Sequence, residues 1–147
     1  MKAIKKFDEF IKQGIAKKQA PDKSRAEFLV KEARQNYLFI LELRNKFEIK
    51  DSNANAFIKS CYDVLMGLIR AKMLLEGYNA SGFGAHEAEI SYLRILGFNE
   101  KDVQFADQIR FFRNGMLYYG TMLNKEYAKS VFEFLNKNYP ILLKLID

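Results

Sequence analysis

The stretch RFFRNGMLYYG at residues 110–120 carries the residue types best suited to chemistry in this chain. Projected on a helix, Asp107, Arg110, Asn114 and Tyr118 fall within about 80° of one another, with Arg113 at the flank. Surface helices more often show Lys and Glu at such positions. Arg supplies a two-pronged fork for a phosphate or carboxylate, Asn an orienting amide, and Tyr a hydroxyl or a stacking face. Gly115 stands mid-helix, at a cost of about 1 kcal/mol relative to Ala, which suggests a kink or a close backbone approach there. Two readings stand side by side. One is an anion or phosphodiester site. The other is an Asp107–Arg110 ion pair with rim tyrosines at a helix–helix or dimer contact.

Elsewhere the chemistry is sparse. His86 is the only histidine and Cys61 the only cysteine, so a common zinc or iron site has no ligand set and an internal disulfide is excluded. His86 reads as a packing or hydrogen-bonding residue at the start of a short helix. Cys61 lies on an apolar stripe and reads as a buried, inert thiol. Glu87 and Glu89, two apart, point to different sides of a helix and form no carboxylate pair. The loop with Gly82 and Gly84 lacks the third glycine, the lysine and the preceding strand that a phosphate cradle needs. No cofactor and no metal is expected.

The elements that must position these residues are helical. The chain has 147 residues with two prolines and eight glycines, few breakers for that length, which suits one domain of long helices. Ile4, Phe7, Ile11 and Ile15 predict a basic helix over 2–18, then a turn at Pro21. Ser24 with Glu27 reads as a capping box for a second helix carrying Leu29, Ala33, Tyr37, Ile40, Leu43 and Phe47. Phe57, Cys61, Val64, Leu68, Ala71 and Leu75 mark a third over about 54–76 with bundle-seam spacing, stopped by Gly77. A short helix spans about 85–96. Asn99 caps a fifth over about 100–119, whose core stripe is Phe105, Ile109, Phe112 and Met116. Asn124 caps a sixth with Ala128, Val131 and Leu135 inward, and Pro140 kinks it or starts a last turn. No alternating strand pattern is visible. The fold class is therefore all-α: an antiparallel helical bundle of four long helices, a short helix and a basic N-terminal helix, one domain over 1–147 with residues 1–20 as an extension.

Charge and hydropathy narrow the classes further. Residues 1–50 hold 13 Lys and Arg against 7 Asp and Glu, while residues 51–147 hold 11 of each, so the whole net charge of +6 sits in the first third. That is either an electrostatic arm for an acidic partner or a solvated helix face with interspersed acids. No apolar run approaches about 18 residues, Arg70 and Lys144 break the best candidates, and no signal peptide is legible, so a cytoplasmic chain with no membrane contact is expected.

Arg113-Asn114, on a late helix followed by Tyr118-Tyr119-Gly120, resembles the HEPN family (higher eukaryotes and prokaryotes nucleotide-binding domain). The resemblance spans most of residues 25–138. It includes the helix carrying Tyr62-Asp63, its Gly77-Tyr78 ending, a loop, and a short helix with His86. It implies a compact helical bundle and a homodimer. It also implies an RNA or nucleotide site at Asp107, Arg110, Arg113, Asn114, Tyr118 and Tyr119, with Arg113 and Asn114 as the catalytic candidates. Active members look like metal-independent ribonucleases pairing Arg with a His four to six residues beyond. Many are toxins silenced by a small nucleotidyltransferase, which is the partner implied here, and others are non-catalytic binding modules. In this chain Tyr118, Tyr119 and Gly120 stand where the His would be. An unperturbed tyrosine, with a pKa of about 10, is a poor general base. The expectation is thus a non-catalytic or attenuated module that binds RNA or a nucleotide. A ribonuclease using Arg113 and a pure dimerisation module are the alternatives.

Overall fold

The computed structural model describes residues 2–120 and 122–147, apart from the side chains of residues 117–119. It is an all-α bundle. Four long helices, α2 (Lys23–Lys46), α3 (Ala54–Leu75), α5 (Glu100–Tyr119) and α6 (Lys125–Ile146), are joined by two shorter ones, α1 (Phe7–Lys12) and α4 (Ala85–Ile95). Two three-residue strands, β1 (Ala16–Lys18) and β2 (Tyr78–Ala80), pair antiparallel with Ala16 opposite Ala80 and Lys18 opposite Tyr78.

Helix α3 is the axis of the molecule. It packs against α2, α4, α5 and α6, and it buries residues on nearly every side, including Phe57, Ile58, Cys61, Tyr62, Val64, Leu65, Leu68 and Ile69. A helix apolar around most of its circumference can only be stable when enclosed. Gly67 faces α2, where an added Cβ would make ordinary contact with Ala33 Cβ at 3.8 Å and the Leu29 carbonyl at 4.0 Å. The burial of Cys61 pushes its thiol up to about 12, an inert group as its place on the stripe suggests.

The helix ends follow local chemistry. Asn99 accepts from the Asp102 N–H at 2.8 Å and Asn124 from the Tyr127 N–H at 2.9 Å, so both expected caps are made. Helix α2 starts differently from the capping-box expectation at Ser24 and Glu27. Asp22 is the cap, accepting from the Arg25 N–H at 3.1 Å. Helix α6 runs through Pro140 without ending. Gly77 closes α3 at a φ of 85°, where a side chain is strained. A Cβ there would also lie 2.8 Å from the Gln19 carbonyl oxygen. Gly77→Ala is therefore expected to destabilise the chain by about 1–3 kcal/mol, read as a lower urea midpoint with an unchanged slope.

The first 20 residues depart most from the sequence expectation. The helix expected over 2–18 covers only Phe7–Lys12. Gly14 then takes a φ of 74° and turns the chain into β1, so the isolated strands arise where no alternation marked them. The segment is no loose appendage. Ile4, Phe7, Phe10 and Ala16 are buried in the main core, and Phe7 meets the rings of Tyr78 and Tyr92 edge-on at 5.3 and 4.9 Å. Arg94 donates to the carbonyls of Ile4 and Lys5 at 2.9 and 2.8 Å and also binds Glu100. These bonds satisfy carbonyls that a helix would have used internally.

Among the described residues, no helix is long and apolar enough to cross a membrane.

Candidate functional site

A cleft of about 430 Å³ opens between α2, α3, α4 and α5. Helix α2 contributes Glu32 and Asn36, α3 contributes Tyr62, Asp63, Met66, Gly67 and Arg70, α4 contributes His86, and α5 contributes Arg113. Gly84, with a φ of 88°, begins α4 and sets His86 in its first turn. Gly67 lies on the face of α3 turned to Ala33 of α2.

Arg113 is the centre of this arrangement. Its guanidinium carbon sits 5.4 Å from the centroid of the Tyr62 ring, within cation–π range. Its Nη2 lies 3.7 Å from a carboxylate oxygen of Asp63, a residue whose side chain is 59% exposed. Its Nε is buried and has no hydrogen-bond partner among the described residues. Leaving a buried donor unmet costs about 1–3 kcal/mol, so such a group calls for an explanation, and a ligand is one.

Tyr62 links Arg113 to His86. The Tyr62 ring is buried, and its hydroxyl is 3.2 Å from His86 Nδ1. Burial holds the Tyr62 hydroxyl well above the ordinary tyrosine range, so it stays protonated. His86 is pulled the other way. Partial burial lowers its pKa first, Glu89 opposes, and the guanidiniums of Arg70, Arg113 and Arg110 lower it further. It is therefore neutral at pH 7. A histidine with a depressed folded-state pKa contributes stability that is present above its unfolded pKa and lost as pH falls. The melting temperature should thus drop between about pH 7.5 and about pH 5.5, and His86→Gln should make that drop smaller. An equal drop in both proteins contradicts the assignment.

Arg70 is fixed by Glu89. Its Nε and Nη2 donate to the two carboxylate oxygens at 2.6 and 3.1 Å, and the Glu89 side chain is only 2% exposed. The hydrogen bonds that Arg70 donates to Glu89 raise the Arg70 pKa, against the lowering effect of burial. The pair stiffens the wall on which Tyr62 and His86 stand.

The structure divides the residues singled out from sequence. Arg113 lines the cleft. Asn114 is half-buried beside it on α5. Asp107 and Arg110 form the ion pair weighed as the alternative to a site, with Arg110 Nε donating to Asp107 at 2.7 Å. Asp107 is 1% exposed and the Arg110 side chain 15%, so this pair faces inward and not into solvent. The cause is tertiary, because α5 packs against both α3 and α4, and Arg110 also approaches Glu87 of α4 at 3.7 Å. Tyr118 and Tyr119 lie outside the residues whose side chains are described. The core stripe of α5 holds, with Ile109 and Met116 buried and Phe105 and Phe112 partly so.

Sequence reasoning placed His86 in a packing role and saw Arg70 only as a break in an apolar run. A signal was present in retrospect. Arg70 on the apolar α3 and Glu89 on α4 are charged residues at positions that the bundle encloses, and such groups are retained with partners.

Comparison with known protein families, with curated proteins and with solved structures finds no match for this chain. The geometry of the cleft is thus the ground on which a function is read.

Proposed function

We propose that this chain is a HEPN-like helical module that binds RNA or a nucleotide, with the α2–α5 cleft holding phosphate through Arg113. The observation that carries this reading is the guanidinium of Arg113. It lines a cleft of ligand size, it lies over the Tyr62 ring, and it retains a buried donor with no acceptor among the described residues. Arginine is the side chain suited to a phosphate, because its fork offers paired N–H donors. Arg110 acts differently under this reading. Its contacts with Asp107 and Glu87 make it a brace for α5 and α4.

Tyr118 and Tyr119 in place of a motif histidine favour holding over cutting. The homodimer and the small nucleotidyltransferase partner remain part of the proposal through the family resemblance. Titrating the purified protein into a labelled single-stranded RNA, with mononucleotides as competitors, tests the reading. Saturable binding that weakens with salt is expected. The absence of any binding at low salt overturns it.

One observation favours the ribonuclease reading as a second. His86 shares the cleft with Arg113, and Tyr62 touches both. An imidazole neutral at pH 7 can accept a proton from a 2′-hydroxyl while a guanidinium stabilises the phosphorane. Metal-free incubation with single-stranded RNA decides between the two. Cleavage that vanishes in both Arg113→Ala and His86→Ala supports the enzyme, and no cleavage above those controls excludes it.

A further inference from the structure

The charge pattern of the cleft bears on what kind of phosphate it would take. Arg70 and Arg113 are its cationic lining, and Glu32 and Asp63 its anionic lining. Arg70 is already neutralised by Glu89. A continuous strand would lay several phosphates past two carboxylates, each repelled by them. Surfaces that track a nucleic-acid backbone carry an excess of cations, and this cleft does not. A single phosphate beside Arg113 meets only one of them, Asp63, whose side chain is 59% exposed and so screened by water.

The remaining lining is suited to a base. Glu32 and Asn36 on α2 supply a carboxylate acceptor and an amide, groups that recognise the amino and imino N–H edges of adenine, cytosine or guanine. Met66 and Gly67 of α3 add an apolar lining between α2 and α5. A volume near 430 Å³ accommodates one nucleotide and not a run of them.

We infer that the cleft is specific for one phosphorylated nucleotide, carrying a terminal phosphomonoester and an amino-bearing base, and not for the interior of a strand. This rests on the reading of the cleft as a phosphate site. The phosphomonoester faces Arg113 and the His86 imidazole, and the base faces Glu32 and Asn36. His86 is ringed by Tyr62 and Arg70 of α3, Glu89 of α4, and Arg110 and Arg113 of α5. The nucleotide comes either free or as the 5′-phosphorylated end of an RNA, and the chemistry recognised is the same.

The unmodified protein tests this with four probes: AMP, adenosine, and one short single-stranded RNA prepared with a 5′-phosphate or with a 5′-hydroxyl. The 5′-phosphorylated RNA is expected to bind about 10-fold or more tightly than its 5′-hydroxyl twin, the ordinary effect of charge-assisted hydrogen bonds. AMP is expected to compete and adenosine is not. Tight AMP binding with weak binding of both RNAs assigns the free nucleotide, and the reverse assigns the RNA end. Equal affinity for the two RNAs, lowered in both by Arg113→Ala, overturns the terminal-phosphate inference and leaves the phosphate site standing. Failure of all four probes to bind overturns both. Replacing Glu32 by Gln provides a further arm. It should weaken AMP more than inorganic phosphate, and equal effects on the two overturn the assignment of α2 to the base.

Discussion

Arg113→Ala is expected to weaken RNA or nucleotide binding by roughly 10- to 100-fold, the cost of losing charge-assisted hydrogen bonds of about 1.5–3 kcal/mol. The fold should survive the change. Arg113 approaches the Asp63 carboxylate at 3.7 Å, and Asp63 is exposed enough for water to screen the pair, so the ion pair contributes less than about 1 kcal/mol. The variant also removes the buried donor that lacks a partner, which offsets part of the packing lost over Tyr62. Affinity and stability should therefore separate. Arg113→Lys sharpens the test, because it keeps the charge and loses the fork. It should bind more weakly than the unmodified chain and more tightly than the Ala variant. A melting temperature that falls in step with affinity would mean that Arg113 is structural, and the site reading would fail.

Glu89→Ala is expected to have the largest effect on stability. It strips Arg70 of both its hydrogen bonds inside a wall where the acid itself is almost fully enclosed. Breaking a buried pair from one side costs about 3–5 kcal/mol, since the remaining charge stays unsatisfied. Arg70 is 27% exposed, so water recovers part of that cost and a value near the lower end, about 3 kcal/mol, is expected. In a chain of this size, that lowers the melting temperature by roughly 6–12 °C. Removing both partners, with Arg70→Met and Glu89→Leu together, should recover much of the loss. A double variant no more stable than Glu89→Ala contradicts the pairwise account.

The helical frame was legible for concrete reasons. Asn99 and Asn124 stand where a cap must stand, Gly77 and Gly97 take the left-handed turns that close α3 and α4, and the α3 stripe from Phe57 to Ala71 is buried as its spacing implies. The N-terminal segment was not legible. Its apolar residues recur at helical steps through Ile15, and only Gly14 betrays the turn into β1. The steps come from burying Ile4, Phe7 and Phe10 in the main core, with Phe7 against Tyr78 and Tyr92 of distant elements, which local periodicity does not separate from one long helix.

The site was legible in half. Arg113 and Asn114 stood out by type, and Tyr62, Asp63 and His86 entered through the resemblance. Their convergence did not, because Arg113, Tyr62 and His86 lie on three helices, and sequence spacing says nothing about which faces meet. Asp107 shows the same gap. Helical projection placed it with Arg110 correctly, and the ion pair is there. Which way the pair faces depended on the packing of α5 against α3 and α4.

The central claim is that the α2–α5 cleft holds a nucleotide phosphate at Arg113. Amide chemical-shift mapping during titration with AMP tests it most directly. The account predicts shifts concentrated at Glu32, Asn36, Asp63, Gly67, His86 and Arg113, and their loss in Arg113→Ala. Shifts confined to the lysines of the first 20 residues, or persisting unchanged in Arg113→Ala, would contradict it.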